Sequence, residues 1–294
     1  FENLICEDLD PEALSRKIDL IFLALPHKVS MDHAPAFLKA GVKVVDLSAD
    51  YRFSDPKAYE SAYQPHTSAH LLETSAYGLC EIYRDQIRET DLVGNPGCYP
   101  TSILLPLIPL VKDGLVEPGG IICDAKSGVS GAGRGVSFAT HFCEVNESFK
   151  AYKIGGHRHT PEIDEQLSRQ SQNRISVTFT PHLVPLTRGM LSTIYATVTP
   201  GTDEGKIRQV FDRWYKDEPF VRVLGPDQYP AISDVKGTNC CDFGFYLDET
   251  KGQVILISVI DNLVKGAAGQ AVQNMNIITG MDEILGLDYV QSPL

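Results

Sequence analysis

The stretch Ile18-Asp-Leu-Ile-Phe-Leu-Ala-Leu25 is a nearly unbroken apolar run that stops at Pro26-His27. Ser30 follows as a helix N-cap, a helical segment runs to Gly41, and Val42-Lys-Val-Val-Asp-Leu47 is a second apolar run. Strands that read as continuous apolar runs and are joined by a helix belong to a parallel sheet covered on both faces, where ligands lie beyond the carboxyl ends of the strands. Three segments then share that edge: Leu25-Pro26-His27, Ser48-Ala49-Asp50-Tyr51-Arg52 and, after the short run Leu92-Val93-Gly94, Asn95-Pro96-Gly97-Cys98.

From about residue 119 the pattern changes to strands separated by turns: Ile121–Ala125, Ile175–Thr180, Leu191–Val198, Asp242–Leu247 and Val254–Ile260. This half reads as α+β with a largely antiparallel sheet. A helix in it carries Ile207, Val210, Phe211, Trp214 and Tyr215 on one face. The last helix, about Lys265 to Ile278, carries Gly266, Ala267, Ala268, Gly269 and Ala271, which permit close approach to a neighbour.

The chain has 294 residues, enough for about two domains at roughly 150 residues each. Apolar residues at 43% and charged residues at 22% are ordinary globular usage, which excludes a disordered tail. A net charge of −12 argues against non-specific nucleic-acid binding, so an anionic ligand must meet a local cationic pocket. No apolar run approaches the roughly 20 residues that cross a bilayer. The seven Cys lack a Cys-x-x-Cys pair, which favours neither a disulfide framework nor a zinc ribbon and leads us to expect a reduced, cytoplasmic setting. Phe1 opens the chain without an initiator Met or a signal pattern, so the natural start is expected upstream.

Asn95-Pro-Gly-Cys-Tyr-Pro-Thr101 delivers a thiol to the start of a helix expected over Thr101–Val111, with Pro100 in its first turn. The positive end of the helix dipole favours the thiolate, which makes Cys98 a candidate nucleophile; a buried structural Cys is the alternative. Pro106 and Pro109 should kink this helix. Gly155-Gly-His-Arg-His-Thr-Pro-Glu162 sets two His and an Arg before a helix with Thr160 as N-cap and Pro161 as first residue. A helix N-terminus disfavours imidazolium, so a neutral His there can serve as general base and later acid. A metal pair and a structural loop are the alternatives, and no carboxylate or Cys partner stands at zinc spacing. Lys126-Ser-Gly-Val-Ser-Gly-Ala-Gly-Arg-Gly135 reads as a Gly-rich loop whose N–H groups can approach an anion or a flat ring, but Val136 breaks the dinucleotide fingerprint. Asp261-Asn-Leu-Val-Lys-Gly266 leads from the last strand into the small-residue helix.

Together these segments, with Asp46-Leu-Ser-Ala-Asp50 and Arg52, Thr180-Pro-His182 and Arg188-Gly189, resemble the N-acetyl-gamma-glutamyl-phosphate reductase family of arginine biosynthesis, in the semialdehyde dehydrogenase superfamily. The resemblance implies an α/β Rossmann-type parallel-sheet domain over 1–97 and 263–294 and an inserted α+β catalytic and oligomerisation domain over 98–262. A strand and Gly-rich phosphate loop open such proteins and are expected upstream of Phe1. The implied reaction is NADPH-dependent reduction of N-acetyl-glutamyl 5-phosphate through a Cys98 thioester, with His157 as acid and base and His159 as the reserve candidate for that role. It also implies NADP(H) contacts at Leu25, Pro26, Ser48, Ser127, Gly128 and Asn262. Arg52, Arg158, His159 and Arg188 are the implied substrate contacts. No metal is implied, and the chain is expected as a homodimer or homotetramer. Reductases of aspartyl or aminoadipyl phosphate share this chemistry, and a cysteine hydrolase or acyltransferase without nicotinamide is a further alternative.

Overall fold

The computed structural model describes residues 5–171 and 173–288. Two sheets organise them. The first comprises β1 (Leu20–Leu23), β2 (Lys43–Asp46), β3 (Ala76–Tyr77) and β4 (Leu92–Gly94), in the order β1-β2-β4-β3 with every pair parallel. Val44 and Val45 of β2 and Val93 of β4 are fully buried, as a sheet covered on both faces requires. The helix Ser30–Lys39 connects β1 to β2 and buries Met31, Ala34 and Phe37. Ser30 is its first residue rather than its cap; the Asp50 carboxylate takes that role by accepting the N–H of Met31 at 3.1 Å and of Lys28 at 2.8 Å.

The second sheet is formed by β5 (Ile122–Gly128), β6 (Lys150–Ala151), β7 (Thr178–Val184), β8 (Met190–Thr197), β9 (Val221–Val223), β10 (Cys241–Asp248) and β11 (Gln253–Ile260), in the order β6-β7-β5-β8-β11-β10-β9. It is mixed: β5–β7 and β9–β10 run parallel and the other pairs antiparallel. Along β8 buried and half-buried residues alternate, as expected for a sheet with one face on the core. On the other face Ile122 is 42% and Tyr246 48% exposed.

Helix Cys98–Lys112 lies between the sheets and is buried from Tyr99 through Val111. One apolar cluster joins it to Val45 and Val93 of the first sheet and to Ile194 and Leu256 of the second. The helix begins three residues before the expected Thr101 and runs through Pro106 and Pro109. Proline removes the N–H that would bond the carbonyl four residues back. For Pro109 that carbonyl is Leu105 O, and it accepts the Tyr215 hydroxyl at 2.6 Å, so the freed acceptor is satisfied in the interior. Tyr215 belongs to the amphipathic helix Glu204–Tyr215, which buries Ile207, Val210, Phe211 and Tyr215, with Trp214 half-buried beside them.

The last segment is not a plain helix from Lys265. Val264–Ala268 forms a π-turn and Gly269–Ile278 the α-helix. This helix returns to the first sheet, where Gln270 and Asn274 both donate to Gly78 O, at 2.7 and 2.8 Å. No helix among the described residues is long and apolar enough to cross a membrane.

Candidate active site

Strand β4 ends at Gly94, and Asn95-Pro96-Gly97 turns the chain into the helix that Cys98 opens. Gly97 is the N-cap, with φ −68° and ψ 153°, so nothing in its dihedrals demands glycine. The demand is spatial: a Cβ on Gly97 would stand 2.5 Å from His159 Nε2. The imidazole of His159 therefore lies on the residue that precedes the thiol. His159 is also the residue before the helix Thr160–Gln170, one position earlier than the expected cap.

The two His share a further contact. The backbone N–H of His159 donates to His157 Nδ1 at 3.1 Å. A neutral His157 ring engaged in this way carries its proton on Nε2. His159 Nδ1 is buried and has no partner among the described residues. Burial holds both imidazoles neutral, His157 down to about 4 and His159 well below its ordinary value, with Lys153 and Arg158 adding repulsion at His157. Burial likewise pushes the Cys98 thiol up to about 11, although the backbone N–H of Tyr99 and the Arg52 guanidinium pull it down. The thiolate expected from the helix dipole is therefore not the resting form.

Arg52 is placed differently from its expected role. It is 5% exposed, and its guanidinium donates to Asn95 O at 2.6 Å, Glu162 at 3.2 Å and Leu47 O at 2.8 Å. All three nitrogens are thus spent inside the protein, and Nε holds the turn that carries Cys98. Glu162 is fully buried and accepts from Tyr77 Oη at 2.8 Å and Gly97 N at 2.9 Å as well as from Arg52. Arg188 pairs with buried Asp261 at 2.8 Å, and its Nε is without a partner. Arg158 is exposed, 5.6 Å from the Tyr63 ring centroid.

His27, His157, His159, Lys150, Lys153 and Arg158 meet at one cavity of about 290 Å³. Its other lining residues include Tyr63 and Tyr152, and no carboxylate. In a chain with net charge −12 this is a local cationic site. The sequence reading had no place for Lys150, Tyr152, Lys153 or Tyr63. Tyr152 and Lys153 stand just ahead of the His-Arg-His segment, which was the available signal; Tyr63 is brought in by the fold alone.

The Gly-rich stretch is less of a loop than expected. β5 continues to Gly128, and a 3-10 turn follows over Val129–Ala132. Lys126 is neutralised by Asp124 at 2.8 Å, on the sheet. A Cβ on Gly131 would lie 2.5 Å from Ser127 Oγ and 3.7 Å from Asn262 Nδ2, so the backbone at Gly131 packs closely on these two buried residues and a side chain there would clash with Ser127. Asn262 is fixed there by Gly189 N donating to Oδ1 at 2.6 Å and by its own donation to Ser130 Oγ at 3.0 Å, with one amide hydrogen left over. Leu25, Pro26 and Ser48 lie just past the carboxyl ends of β1 and β2. Ser48 is held by Asp46, whose carboxyl burial pushes up to about 6. Among the described residues, no group of three or more His, Cys, Asp or Glu is placed to hold a metal ion.

Comparison with known proteins decides among the readings left open. The proteins named N-acetyl-gamma-glutamyl-phosphate reductase from Desulforapulum autotrophicum and Geobacter metallireducens are 61% and 54% identical to this chain. The first alignment covers 99% of this chain and 85% of its relative, the second 97% and 82%. The chain belongs to the N-acetyl-gamma-glutamyl-phosphate reductase family. Residues 1–90 match the semialdehyde dehydrogenase NAD-binding domain and residues 98–262 the semialdehyde dehydrogenase dimerisation domain. An aspartate semialdehyde dehydrogenase II from Vibrio cholerae superposes with a TM-score of 0.71 at 17% identity, covering 96% of this chain and 82% of its own. One from Francisella tularensis gives 0.65 at 15%, covering 92% and 84%. At these identities the likeness shows the fold: a Rossmann-type parallel sheet joined to a mixed-sheet domain.

Proposed function

We propose that Cys98 is the nucleophile of this nicotinamide-dependent reductase, that His159 takes the thiol proton, and that the cationic cavity beside them holds the acyl-phosphate substrate. The activity of the family is reduction of N-acetyl-glutamyl 5-phosphate to N-acetyl-glutamate 5-semialdehyde and phosphate. The observation that carries the residue assignment is the placement of the His159 ring on Gly97, next to Cys98, the first residue of the 15-residue helix Cys98–Lys112. This moves acid and base from His157, the first choice from the sequence, to His159, the reserve candidate. His157 Nδ1 is occupied by the His159 N–H, so His157 keeps Nε2–H as a donor toward the cavity.

With thiol and imidazoles neutral at rest, the Cys98–His159 pair needs a cause to exchange its proton. The anionic substrate favours it, because a carboxylate or phosphate in the cavity neutralises Arg158, whose charge opposes imidazolium at His159. His159 then accepts the proton, Sγ attacks the acyl carbon, and the proton passes to the departing phosphate as the thioester forms. Ser127, Gly128 and Asn262, around the Gly-rich turn, are assigned to the nicotinamide end of the dinucleotide, and Leu25, Pro26 and Ser48 to the rest of it. A nicotinamide dinucleotide held by these residues would supply the hydride that takes the thioester to the aldehyde level. Collapse returns the thiolate, which regains a proton through His159. Arg52 and Arg188 act from within the protein in this scheme, Arg52 on the Cys98 turn and Arg188 on the strand end at Asp261.

We also propose NADP(H) as the dinucleotide, the division 1–97 with 263–294 against 98–262, a cytoplasmic location, and a homo-oligomer, dimer or tetramer. The half-open outer face of the second sheet, with Ile122 and Tyr246, and the dimerisation-domain match support the oligomer.

The test runs the reaction backwards. The full chain is given N-acetyl-glutamate semialdehyde, phosphate and NADP+ or NAD+, and reduced dinucleotide is recorded for wild type and Cys98→Ala. Phosphate-dependent reduction with NADP+ that is lost in Cys98→Ala is the expected result. Turnover that persists in Cys98→Ala would overturn the nucleophile, and a faster rate with NAD+ would overturn the NADP(H) assignment.

A further inference from the structure

Lys265 is fully buried, as is Glu81, and they meet at 2.6 Å. Gln273 Oε1 accepts from Lys265 Nζ at 2.7 Å and from Asn239 at 2.9 Å, and Gln273 Nε2 donates to Glu81 at 3.0 Å, which closes a polar knot under the last helix. Lys265 stands in the π-turn Val264–Ala268, a single wide turn of the sort that interrupts helices at functional positions. The next residue, Gly266, lies against the thiol-bearing residue: a Cβ there would stand 2.8 Å from Cys98 Cβ and 3.3 Å from Cys98 Cα. Asn95, in the turn before Cys98, donates to Ala267 O at 3.1 Å and ties the same π-turn to the same turn.

A buried ion pair is weak evidence for stability, since well-packed apolar side chains of similar volume commonly serve as well or better. What Lys265–Glu81 does here is fix one turn of backbone. The charges that bear on the Cys98 thiol are Arg52 and Glu162, whereas Lys265 acts on the thiols of Cys80 and Cys241. We infer that Lys265 and Glu81 are positioning residues that hold the π-turn so that Gly266 packs on Cys98 and sets the direction from which Sγ meets the acyl carbon. The inference rests on the reading of Cys98 as nucleophile.

The experiment compares Gly266→Ala and the double variant Lys265→Met/Glu81→Leu with wild type and Cys98→Ser, all as the full chain, by kcat, KM, melting temperature and the pH profile of Cys98 alkylation by iodoacetamide. A displaced reacting atom lowers kcat by roughly tenfold to a hundredfold. The expected result is a loss of that size in both variants, with KM within about threefold of wild type and the alkylation midpoint unmoved. A Gly266→Ala enzyme within twofold of wild-type kcat overturns the inference. So does a moved alkylation midpoint, which would mean that the pair acts by charge. A double variant that does not fold leaves Gly266→Ala to decide alone. Full turnover by Cys98→Ser would instead remove the nucleophile reading, independently of the other variants.

Discussion

Glu162 accepts the backbone N–H of Gly97 at 2.9 Å, so a carboxylate on the first turn of one helix holds the N-cap of another, one residue before Cys98. The same carboxylate meets Arg52 at 3.2 Å, and Arg52 reaches Asn95 O at 2.6 Å. The thiol-bearing turn is thus gripped from two sides by one buried ion pair. Glu162→Gln leaves the Arg52 charge without its partner in the interior. Removal of one partner of a buried pair costs about 3–5 kcal/mol, to be read as a lowered urea midpoint together with a loss of kcat. Unchanged stability with unchanged kcat would show that the grip is dispensable.

Gly97→Ala tests the packing of imidazole on cap. The dihedrals at 97 suit any residue, so folding should survive, while the added methyl, 2.5 Å from His159 Nε2, must displace the ring. A displacement of that order costs about a hundredfold in kcat. Circular dichroism and steady-state rates together check it.

Stability should fall on the acid side, and the sign follows from His157. Its pKa is lowered from 6.5 to about 4 in the folded protein, so between those values the unfolded chain binds the proton and the folded one does not. The contribution is complete above 6.5 and is lost as the pH falls through 4. Urea unfolding at pH 7, 5 and 4 should show a decline that is shallower in His157→Gln; an equal slope in the variant would reject the assignment.

At the alkaline side the Cys98 thiol has the opposite sign. Its pKa is raised from 9.0 to about 11, so the substrate-free enzyme should be alkylated by iodoacetamide at a rate that climbs throughout pH 7 to 10 without a plateau. Addition of an unreactive phosphate-bearing substrate analogue should bring labelling forward to lower pH if substrate charge releases the proton. A plateau near neutrality in the free enzyme would restore the dipole-stabilised thiolate.

Lys153→Gln and Arg158→Gln each remove a charged donor from the substrate cavity. A hydrogen bond to a charged group contributes about 1.5–3 kcal/mol, which is roughly tenfold to a hundredfold in KM for the acyl phosphate. Both should leave the KM for the dinucleotide unchanged, and initial-rate kinetics with each substrate varied in turn separates the two effects.

Chain order and side-chain chemistry were enough to locate three of the four parallel strands, the amphipathic helix with Phe211, the thiol at a helix start and the His-Arg-His segment, because each is a local pattern whose period or turn chemistry is written in consecutive residues, whereas the two-residue strand Ala76–Tyr77 is too short to carry a period. Helix Cys98–Lys112 ran through Pro109 for a reason no local pattern holds: a hydroxyl from Tyr215, over a hundred residues away, takes the freed carbonyl. The roles of the arginines were likewise settled at a distance. Arg52 reads from sequence as an anion clamp, yet Glu162, 110 positions later, draws it inward. The protonation of Cys98 and both imidazoles was decided by burial, which depends on which elements close over the turn, and two of the cavity's cations, Lys150 and Lys153, read in sequence as ordinary surface residues. The sequence by itself determined which chemical groups the protein owns and in what local backbone setting each is presented, since dihedral preference and apolar periodicity act over a few residues. The tertiary structure alone decided which of those groups meet, which are dry and which charges are spent on one another, because solvation and Coulomb energies depend on distance in space rather than along the chain.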